Sequence, residues 1–254
     1  MASTGLFGGL IMTKYLLLGE DAYRRYADIL GGYGFTPIML YREPRVNPIV
    51  GAHADTLVFE AYGRLIMNRE YYNRLDLPEP VARRVELSDD CPHSSYPNDV
   101  CFNGLVVGNC LVAKQSAISA DLCRLGLKPV DVKQGYARCS TLLLRSVGAA
   151  ITSDSGIADA LRENGVRILE IKSGSIRLDG CEYGFIGGAT FVDETDCSCS
   201  LRAETVPSTV YFFGSPANHP DCHRILDFIR SYGYQTVFLT GEFTDFGGAI
   251  VVNV

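Results

Sequence analysis

The sequence predicts an α/β fold in which five similar units close into a ring. Five short apolar stretches recur along the 254 residues and are aligned at Asp55, Asp99, Ser140, Ala189 and Ala249, with spacings of 44, 41, 49 and 60 residues. A second apolar run and a helix-like stretch follow most of them. The last stretch lacks these pieces, but the N-terminus supplies them. The repeated unit is therefore expected to be strand, strand, helix, strand.

The recurrent stretches are expected to be the first strands of the units. They read "ADTLVF" at 54, "NDVCF" at 98, "CSTLLL" at 139, "GATFV" at 188 and "GAIVV" at 248. The second strands are expected in "GRLIMN", "GLVVGNCLVA", "SVGAAITS" and "STVYFFG". In "HADTLVF", strand alternation would place His53 and Asp55 on one face, because side chains in a strand repeat every two residues.

The clearest helix is predicted in "DSGIADALRENGVRILEI", residues 154–171. Ser155 can cap its N-terminus, and Gly165 ends it before a short strand. The stretches "SAISADLCRLGLKPVDV" and "DCHRILDFIRSYGYQTVFL" repeat this scheme, with Gly126 and Gly233 as the ends. Each of these helices is therefore expected to lie between the second and third strands of its unit.

The two ends of the chain are predicted to complete the fifth unit together. "GGAIVVNV" at the C-terminus would be its first strand, and "KYLLLG", "EDAYRRYADILGGYG" and "FTPIMLY" its remaining strand, helix and strand. Such sharing closes a ring and leaves no sheet edge bare. An open α/β sandwich is the alternative. We expect one domain over residues 1–254, with residues 1–12 as a flexible tail.

Composition narrows the classes of function. The net charge is −6, and no basic run is present, so we expect no nucleic-acid partner. No apolar segment approaches the length of a membrane span, and we expect no membrane association. Nine cysteines, an odd count without a visible export signal, favour reduced thiols and a cytoplasmic location. No glycine-rich phosphate loop occurs, and we expect no cofactor.

Two short motifs carry a resemblance to a known family. "HADTLVF" resembles the His-x-Asp-Thr strand of arginine deiminases, and "GYARCSTLLLR", residues 135–145, resembles their Gly-x-x-Arg-Cys segment. A five-fold ring of strand, strand, helix and strand also resembles the pentein fold, the α/β propeller of guanidino-group-modifying enzymes. The fold-level resemblance covers nearly the whole chain, whereas the two motifs cover fewer than twenty residues.

The resemblance implies a chemistry for the matching residues. Cys139 would be the nucleophile, His53 the general acid and base, and Asp55 an anchor for the guanidinium of a small guanidino-type substrate. Positive neighbours lower the pKa of a thiol, so Arg138 and Lys133 are expected to activate Cys139. A hydrolase and an amidino transferase pass through the same thiol adduct, and both remain open.

The sequence also departs from the family. Relatives carry a further carboxylate in a Glu-Gly-Gly-Asp strand, where this chain has "DFGGAIV" with Phe246 and Ala249 in the two acidic places. Asp245 lies one residue away and would point to the opposite face of a regular strand. Asp99 is the best remaining acidic candidate. The predicted substrate-binding set is Asp55, Asp99, Arg138 and Asp245.

Simpler interpretations remain for each residue. Cys139 can be a buried structural thiol, His53 a strand cap, and Asp55 and Asp99 turn formers. The second functional class is accordingly a non-catalytic binding module with the same fold. "CSCS" and "NHPDCH" offer nitrogen and sulfur atoms that zinc prefers, but their spacing is unusual, and we predict no metal. Those residues are Cys197, Cys199, His219, Cys222 and His223.

Overall fold

The computed structural model describes residues 13–194 and 207–254. Residues 1–12, which include the predicted tail, lie outside that range, as do Cys197 and Cys199. Within the described part, no helix is long and apolar enough to cross a membrane.

Fifteen strands form five three-stranded sheets in the described part of the chain. The strands are β1 (Lys14–Gly19), β2 (Phe35–Leu40), β3 (Val58–Ala61), β4 (Arg64–Asn68), β5 (Val85–Ser88), β6 (Leu105–Val107), β7 (Cys110–Ala113), β8 (Lys128–Asp131), β9 (Thr141–Leu144), β10 (Ala149–Thr152), β11 (Arg167–Glu170), β12 (Thr190–Asp193), β13 (Thr209–Phe212), β14 (Gln235–Phe238) and β15 (Ala249–Asn253). We number the sheets as unit 1 (β3-β4-β5), unit 2 (β6-β7-β8), unit 3 (β9-β10-β11), unit 4 (β12-β13-β14) and unit 5 (β15-β1-β2).

All five units share one topology. The first strand pairs antiparallel with the second, and the second pairs parallel with the third. In unit 5 the first strand comes from the C-terminus: Leu16 of β1 lies opposite Val251 of β15, and Leu17 lies beside Ile38 of β2. The prediction that the two ends of the chain complete one unit is confirmed.

Helical segments occupy the predicted places between second and third strands. They are α1 (Glu20–Gly32), α2 (Ala54–Leu57), α3 (Arg69–Tyr72), α4 (Glu79–Ala82), α5 (Ala120–Cys123), α6 (Ser155–Glu163) and α7 (Cys222–Ser231), and α2 alone precedes a first strand. Helix α1 buries Ala22, Tyr26 and Leu30, the stripe that a spacing of four residues creates. The cap of α6 is Asp154, which accepts from the amide of Ile157, rather than the predicted Ser155.

The apolar faces of the units pack against one another in five clusters. Leu17 and Ile250 of unit 5 pack with Leu65 and Met67 of unit 1. Other clusters join units 1 and 2, units 2 and 3, units 3 and 4, and units 4 and 5. A three-stranded sheet of such short strands cannot bury its apolar faces by itself. Each sheet therefore buries them against the neighbouring units, and this burial is the main source of its stability.

Candidate active site

The polar residues of interest lie in five segments that precede the first strands. We call these the leading segments: residues 53–57, 98–104, 135–140, 184–189 and 244–248. Two were predicted as strands, and that prediction is wrong. Ala54–Leu57 is a helical turn, and Asn98–Val100 is a single 3₁₀ turn, so the first strand of unit 2 begins only at Leu105.

Hydrogen bonds connect the leading segments of units 5, 1 and 2. The amide of Asp55 donates to the carbonyl of Gly247 at 3.1 Å. The carbonyl of Asp55 accepts from the side-chain amide of Asn103, also at 3.1 Å. Asn103 is fully buried, so its polar groups must be satisfied inside the protein. It joins two segments that are distant in sequence.

The same side chain continues the connection to units 3 and 4. The Oδ1 atom of Asn103 accepts from the amides of Arg138 at 2.9 Å and Cys139 at 3.2 Å. The carbonyl of Cys139 accepts from the amide of Gly188 at 2.9 Å, and the carbonyl of Gly188 accepts from Gly248 at 2.8 Å. Asn103 was not among the residues predicted for the site. Its only signal is an amide side chain inside the apolar run "VCFNGLVV".

Cys139, His53 and Asp245 meet where these segments converge. The Sγ atom of Cys139 lies 3.3 Å from Oδ2 of Asp245 and 3.6 Å from Oδ1. The Nδ1 atom of His53 lies 3.8 Å from Oδ1 of Asp245. All three side chains are buried, and one ligand atom from each lies within 4.8 Å of the others. The structure therefore brings the predicted nucleophile and base together.

The outward orientation of Asp245 was expected only for a regular strand, and that condition is not met. Residues 245–248 are not a regular strand, because Gly247 and Gly248 have φ angles of +75° and +64°. The Asp245 carboxylate instead turns inward and accepts from the amides of Phe185 at 2.8 Å and Gly247 at 2.9 Å. Gly188 provides the room, since a Cβ atom there would lie 1.9 Å from Oδ1 of Asp245.

The carboxylates give the thiol an unusual environment. Burial raises the pKa of Cys139 well above its usual range, and the negative charges of Asp245 and Asp55 raise it further. The expectation that positive neighbours lower this pKa is wrong. Arg138 does interact with the Cys139 thiolate, but burial and the two carboxylates outweigh this interaction, and burial lowers the pKa of Arg138 itself. Burial and the carboxylates thus both favour the neutral thiol over the thiolate.

Asp55 is the second carboxylate of the cluster. Burial raises its pKa to about 6, opposed in part by His53 and reinforced by Asp245. Its Oδ2 atom is buried without a hydrogen-bond partner among the described residues. Asp55 and Arg138 also line a cavity of about 720 Å³, to which the first strands of all five units contribute. The prediction that His53 and Asp55 share one face of a strand is wrong, because residues 54–57 form a helical turn. The two side chains are nevertheless close enough for the charge of His53 to lower the pKa of Asp55.

Asp99 is buried beside Tyr136. Its Oδ2 atom accepts from the Tyr136 hydroxyl at 2.6 Å, while Oδ1 has no hydrogen-bond partner within the described ranges. Burial raises the pKa of Tyr136, and the charges of Asp99, Cys139 and Asp55 add to this effect. Tyr136 therefore remains a protonated donor, and Asp99 belongs to the same electrostatic group as the thiol.

A model of one protein family matches residues 17–250, and its description is "Family of unknown function (DUF6873)". The chain belongs to this family. No curated protein matches the chain in sequence.

Two solved structures are similar in fold. One is a Cys-to-Ser mutant of the DDAH from Pseudomonas aeruginosa complexed with citrulline, at 13% identity and a TM-score of 0.49, covering 91% of this chain and 93% of that one. The other is a His-to-Gly dimethylarginine dimethylaminohydrolase adduct with S-methyl-L-thiocitrulline, at 13% identity and a TM-score of 0.50, covering 90% and 93%. The second likeness confirms the predicted resemblance to the pentein fold, and it concerns the fold alone.

The remaining candidates lie elsewhere. His219 is buried, and its Nδ1 atom accepts from the amide of Asp221, so this histidine shapes the start of α7. Within the described ranges, His53, Cys139 and Asp245 are the only three such side chains close enough to hold a metal ion together. Phe246 packs on Tyr26 and Phe213 and takes no part in the site.

Proposed function

We propose that the five units close into one pentein-type α/β propeller, a single domain with the leading segments around its axis. Three observations support this. Apolar clusters join every unit to the next and unit 5 to unit 1. The first strands of all five units contribute to one cavity. The hydrogen bonds through Asn103 and Gly188 connect the five leading segments in order.

We further propose that the protein is a cysteine-dependent hydrolase or transferase that acts on a guanidino or amidino group. The carrying observation is a buried thiol beside Asp245 and Asp55, together with buried carboxylate oxygens that lack partners. Asp55 Oδ2 and, beyond Tyr136, Asp99 Oδ1 accept no hydrogen bond in the described part. Buried acceptors of this kind are costly unless a ligand satisfies them. A guanidinium offers both the missing N–H donors and the compensating charge.

The raised pKa of Cys139 fits such a substrate. Burial disfavours the Cys139 thiolate most, and the negative charges of Asp245 and Asp55 disfavour it further. A bound cation neutralises the fields of Asp55 and Asp245 and favours the thiolate, because an opposite charge within a few ångströms lowers an acid's pKa. The nucleophile would therefore form mainly in the presence of its own substrate, with His53 as the nearby proton acceptor.

The proposed reaction has two steps. The Cys139 sulfur bonds to the guanidinium carbon, and His53 gives a proton to the departing nitrogen as the C–N bond breaks, which leaves a thiouronium adduct and an amine. In hydrolysis, His53 then takes a proton from water, the water oxygen bonds to the carbon, and the C–S bond breaks to release the ureido product. In transfer, an amine replaces the water. Both routes use only side chains of this chain.

The similar solved structure that contains an adduct with S-methyl-L-thiocitrulline supports a choice of substrate class. We propose that this chain likewise takes a small guanidino-type molecule, and that it works in the reducing cytoplasm. Seven cysteines within the described ranges are free thiols, which accords with that location. The alternative is a non-catalytic binding module. The near-complete burial of Cys139, His53 and Asp245 favours that alternative, because no side chain of the cluster is open to solvent.

The test is a turnover screen of small guanidino compounds with the native protein and Cys139→Ala. We expect release of ammonia or an amine from at least one compound by the native protein, and none by the variant. Acid quenching during turnover should leave a mass increase on the peptide that contains Cys139. Equal turnover by both proteins would refute the nucleophile. Tight binding by both proteins without turnover would support the binding module.

A further inference from the structure

Four aromatic side chains form a continuous strip beside the carboxylate cluster. We call Tyr96, Tyr136, Tyr183 and Phe185 the aromatic strip. The ring centroids of Tyr96 and Tyr136 are 5.9 Å apart, those of Tyr136 and Phe185 are 6.3 Å apart, and those of Tyr183 and Phe185 are 6.1 Å apart. The strip thus combines residues from three leading segments or the loops before them.

The strip is attached to the site at two points. The Tyr136 hydroxyl donates to Asp99 at 2.6 Å, and the amide of Phe185 donates to Asp245 at 2.8 Å. Tyr96, at one end of the strip, is 49% exposed. Hydrogen bonds therefore link the strip to two buried carboxylates, while its ring at Tyr96 is open to solvent. A molecule whose cationic end lies at Asp245 would have these rings beside its tail.

The strip offers apolar contact rather than charge. Cation–π pairs in the described ranges involve Arg25, Arg74 and Arg167, and none of these stacks on a ring of the strip. Lys133 is a basic residue next to it, whose carbonyl accepts from the Tyr96 hydroxyl at 3.2 Å and whose side chain is exposed. An exposed ion pair with a substrate carboxylate would contribute little, whereas several aromatic contacts would contribute more.

We propose that the aromatic strip binds the tail of the substrate and that the preferred substrates are guanidines or amidines with a flat apolar group, such as an aryl ring, rather than free amino acids. This inference rests on the proposed function, because it assumes that the guanidinium end lies at Asp55 and Asp245. Tyr96 and Tyr183 then determine specificity at the outer end of the strip, while Tyr136 and Phe185 border the reacting group.

Calorimetric titration with benzylguanidine and with arginine tests this inference. We expect benzylguanidine to bind at least about tenfold more tightly than arginine. Tyr96→Ala should weaken benzylguanidine binding by about three- to tenfold, while Tyr96→Phe, which keeps the ring, should not. Tyr33→Ala is the matched control, since Tyr33 is equally exposed but lies in unit 5, where it packs on Tyr211.

Three outcomes would overturn the inference: tighter binding of arginine, binding of neither compound, or unchanged benzylguanidine affinity in Tyr96→Ala. Loss of arginine binding in Lys133→Ala would show that Lys133 binds the carboxylate of an amino acid substrate, and it would reject the preference for an aryl group. Alkylation of Cys139 by chloroacetamidine, followed by peptide mass, separates the two proposals. If chloroacetamidine labels Cys139 but arginine binds more tightly than benzylguanidine, the proposed chemistry is retained and the aryl tail is rejected. Binding of benzylguanidine without labelling or turnover would retain the strip and reject the chemistry.

Discussion

The leading segments and the outer parts of the units are built on different principles. The outer parts are regular strands and helices with apolar faces, such as α1 with Tyr26 and Leu30 buried. The leading segments are short turns that bury polar groups, including Asp55, Asn103 and Asp245. Burial of polar groups costs free energy unless they are paired, so the centre is held by specific contacts and the periphery by packing. The effects of mutations on the free energy of unfolding should accordingly differ between the two regions, both in size and in pH dependence.

The largest expected effect comes from Gly188→Ala. A Cβ atom at this position would lie 1.9 Å from Oδ1 of Asp245 and 2.6 Å from the sulfur of Cys139. We expect a loss of about 3 kcal/mol or more in the free energy of unfolding, measured by urea denaturation. The matched variant is Gly31→Ala in α1, where nothing lies within 4 Å. It should stabilise the protein by about 0.5–1 kcal/mol, and similar effects at both positions would contradict the comparison.

Asp55→Asn should increase stability at high pH while it abolishes the proposed activity. The folded-state pKa of Asp55 is raised to about 6, against 3.8 in the unfolded chain. The folded protein therefore binds the proton more tightly, and its stability falls as the pH rises from about 4 to about 6. Above that range, removal of the charge should recover at most about 3 kcal/mol.

Urea denaturation of native protein and Asp55→Asn at pH 4 and pH 8 measures this effect. The gain should be present at pH 8 and nearly absent at pH 4. Asp28→Asn, an exposed position on α1, serves as the control and should change stability little at either pH. An equal loss of stability at both values would mean that Asp55 is a structural hydrogen-bonding residue rather than an uncompensated buried charge.

Asp245→Asn should lower the pKa of Cys139, because it removes one of the two negative charges that raise it. The pH dependence of alkylation by iodoacetamide, which is uncharged, reports the thiol in the empty site. We expect the midpoint to move down by about 1 pH unit, with Cys139 followed by peptide mass. Glu242→Gln, which removes an exposed partner of Arg177, is the control. An unchanged midpoint would place the cause of the raised pKa elsewhere.

The smallest expected effect lies at the periphery. Arg64 and Glu86 form an exposed ion pair between β4 and β5 of unit 1. Solvent screens such pairs, so Glu86→Gln should change the free energy of unfolding by less than about 0.5 kcal/mol. A change of several kcal/mol in urea denaturation would show that this outer sheet depends on a specific polar contact, as the centre does.

The same difference explains which parts of the structure could be predicted from the sequence. The outer strands and helices were predictable because apolar periodicity and glycine ends are local signals: Gly165 and Gly233 end helices with φ angles of +82° and +80°. The sharing of unit 5 between the two ends followed from the missing parts of the repeat. The clusters that join unit to unit then follow from the apolar faces of those strands.

The candidate site was predictable only in part. Cys139 and His53 were found through two motifs, but the inward turn of Asp245 depends on positive φ angles at Gly247 and Gly248 and on space left by Gly188. The raised pKa of Cys139 depends on burial first and then on carboxylates from two distant segments. Neither property is local in sequence, so alternation along a regular strand did not apply at Asp245 and the nearby basic residues gave the wrong direction of the pKa shift.

The most direct measurement compares two alkylating agents of nearly the same shape at Cys139. Chloroacetamidine carries the amidinium cation, whereas chloroacetamide is neutral. We expect the cation to alkylate Cys139 at least about a hundredfold faster near neutral pH, because Asp55 and Asp245 bind it and its charge favours the thiolate. The preference should fall sharply in Asp55→Asn. Equal rates for the two reagents, or faster labelling of an exposed thiol such as Cys123, would contradict a site built for a guanidinium.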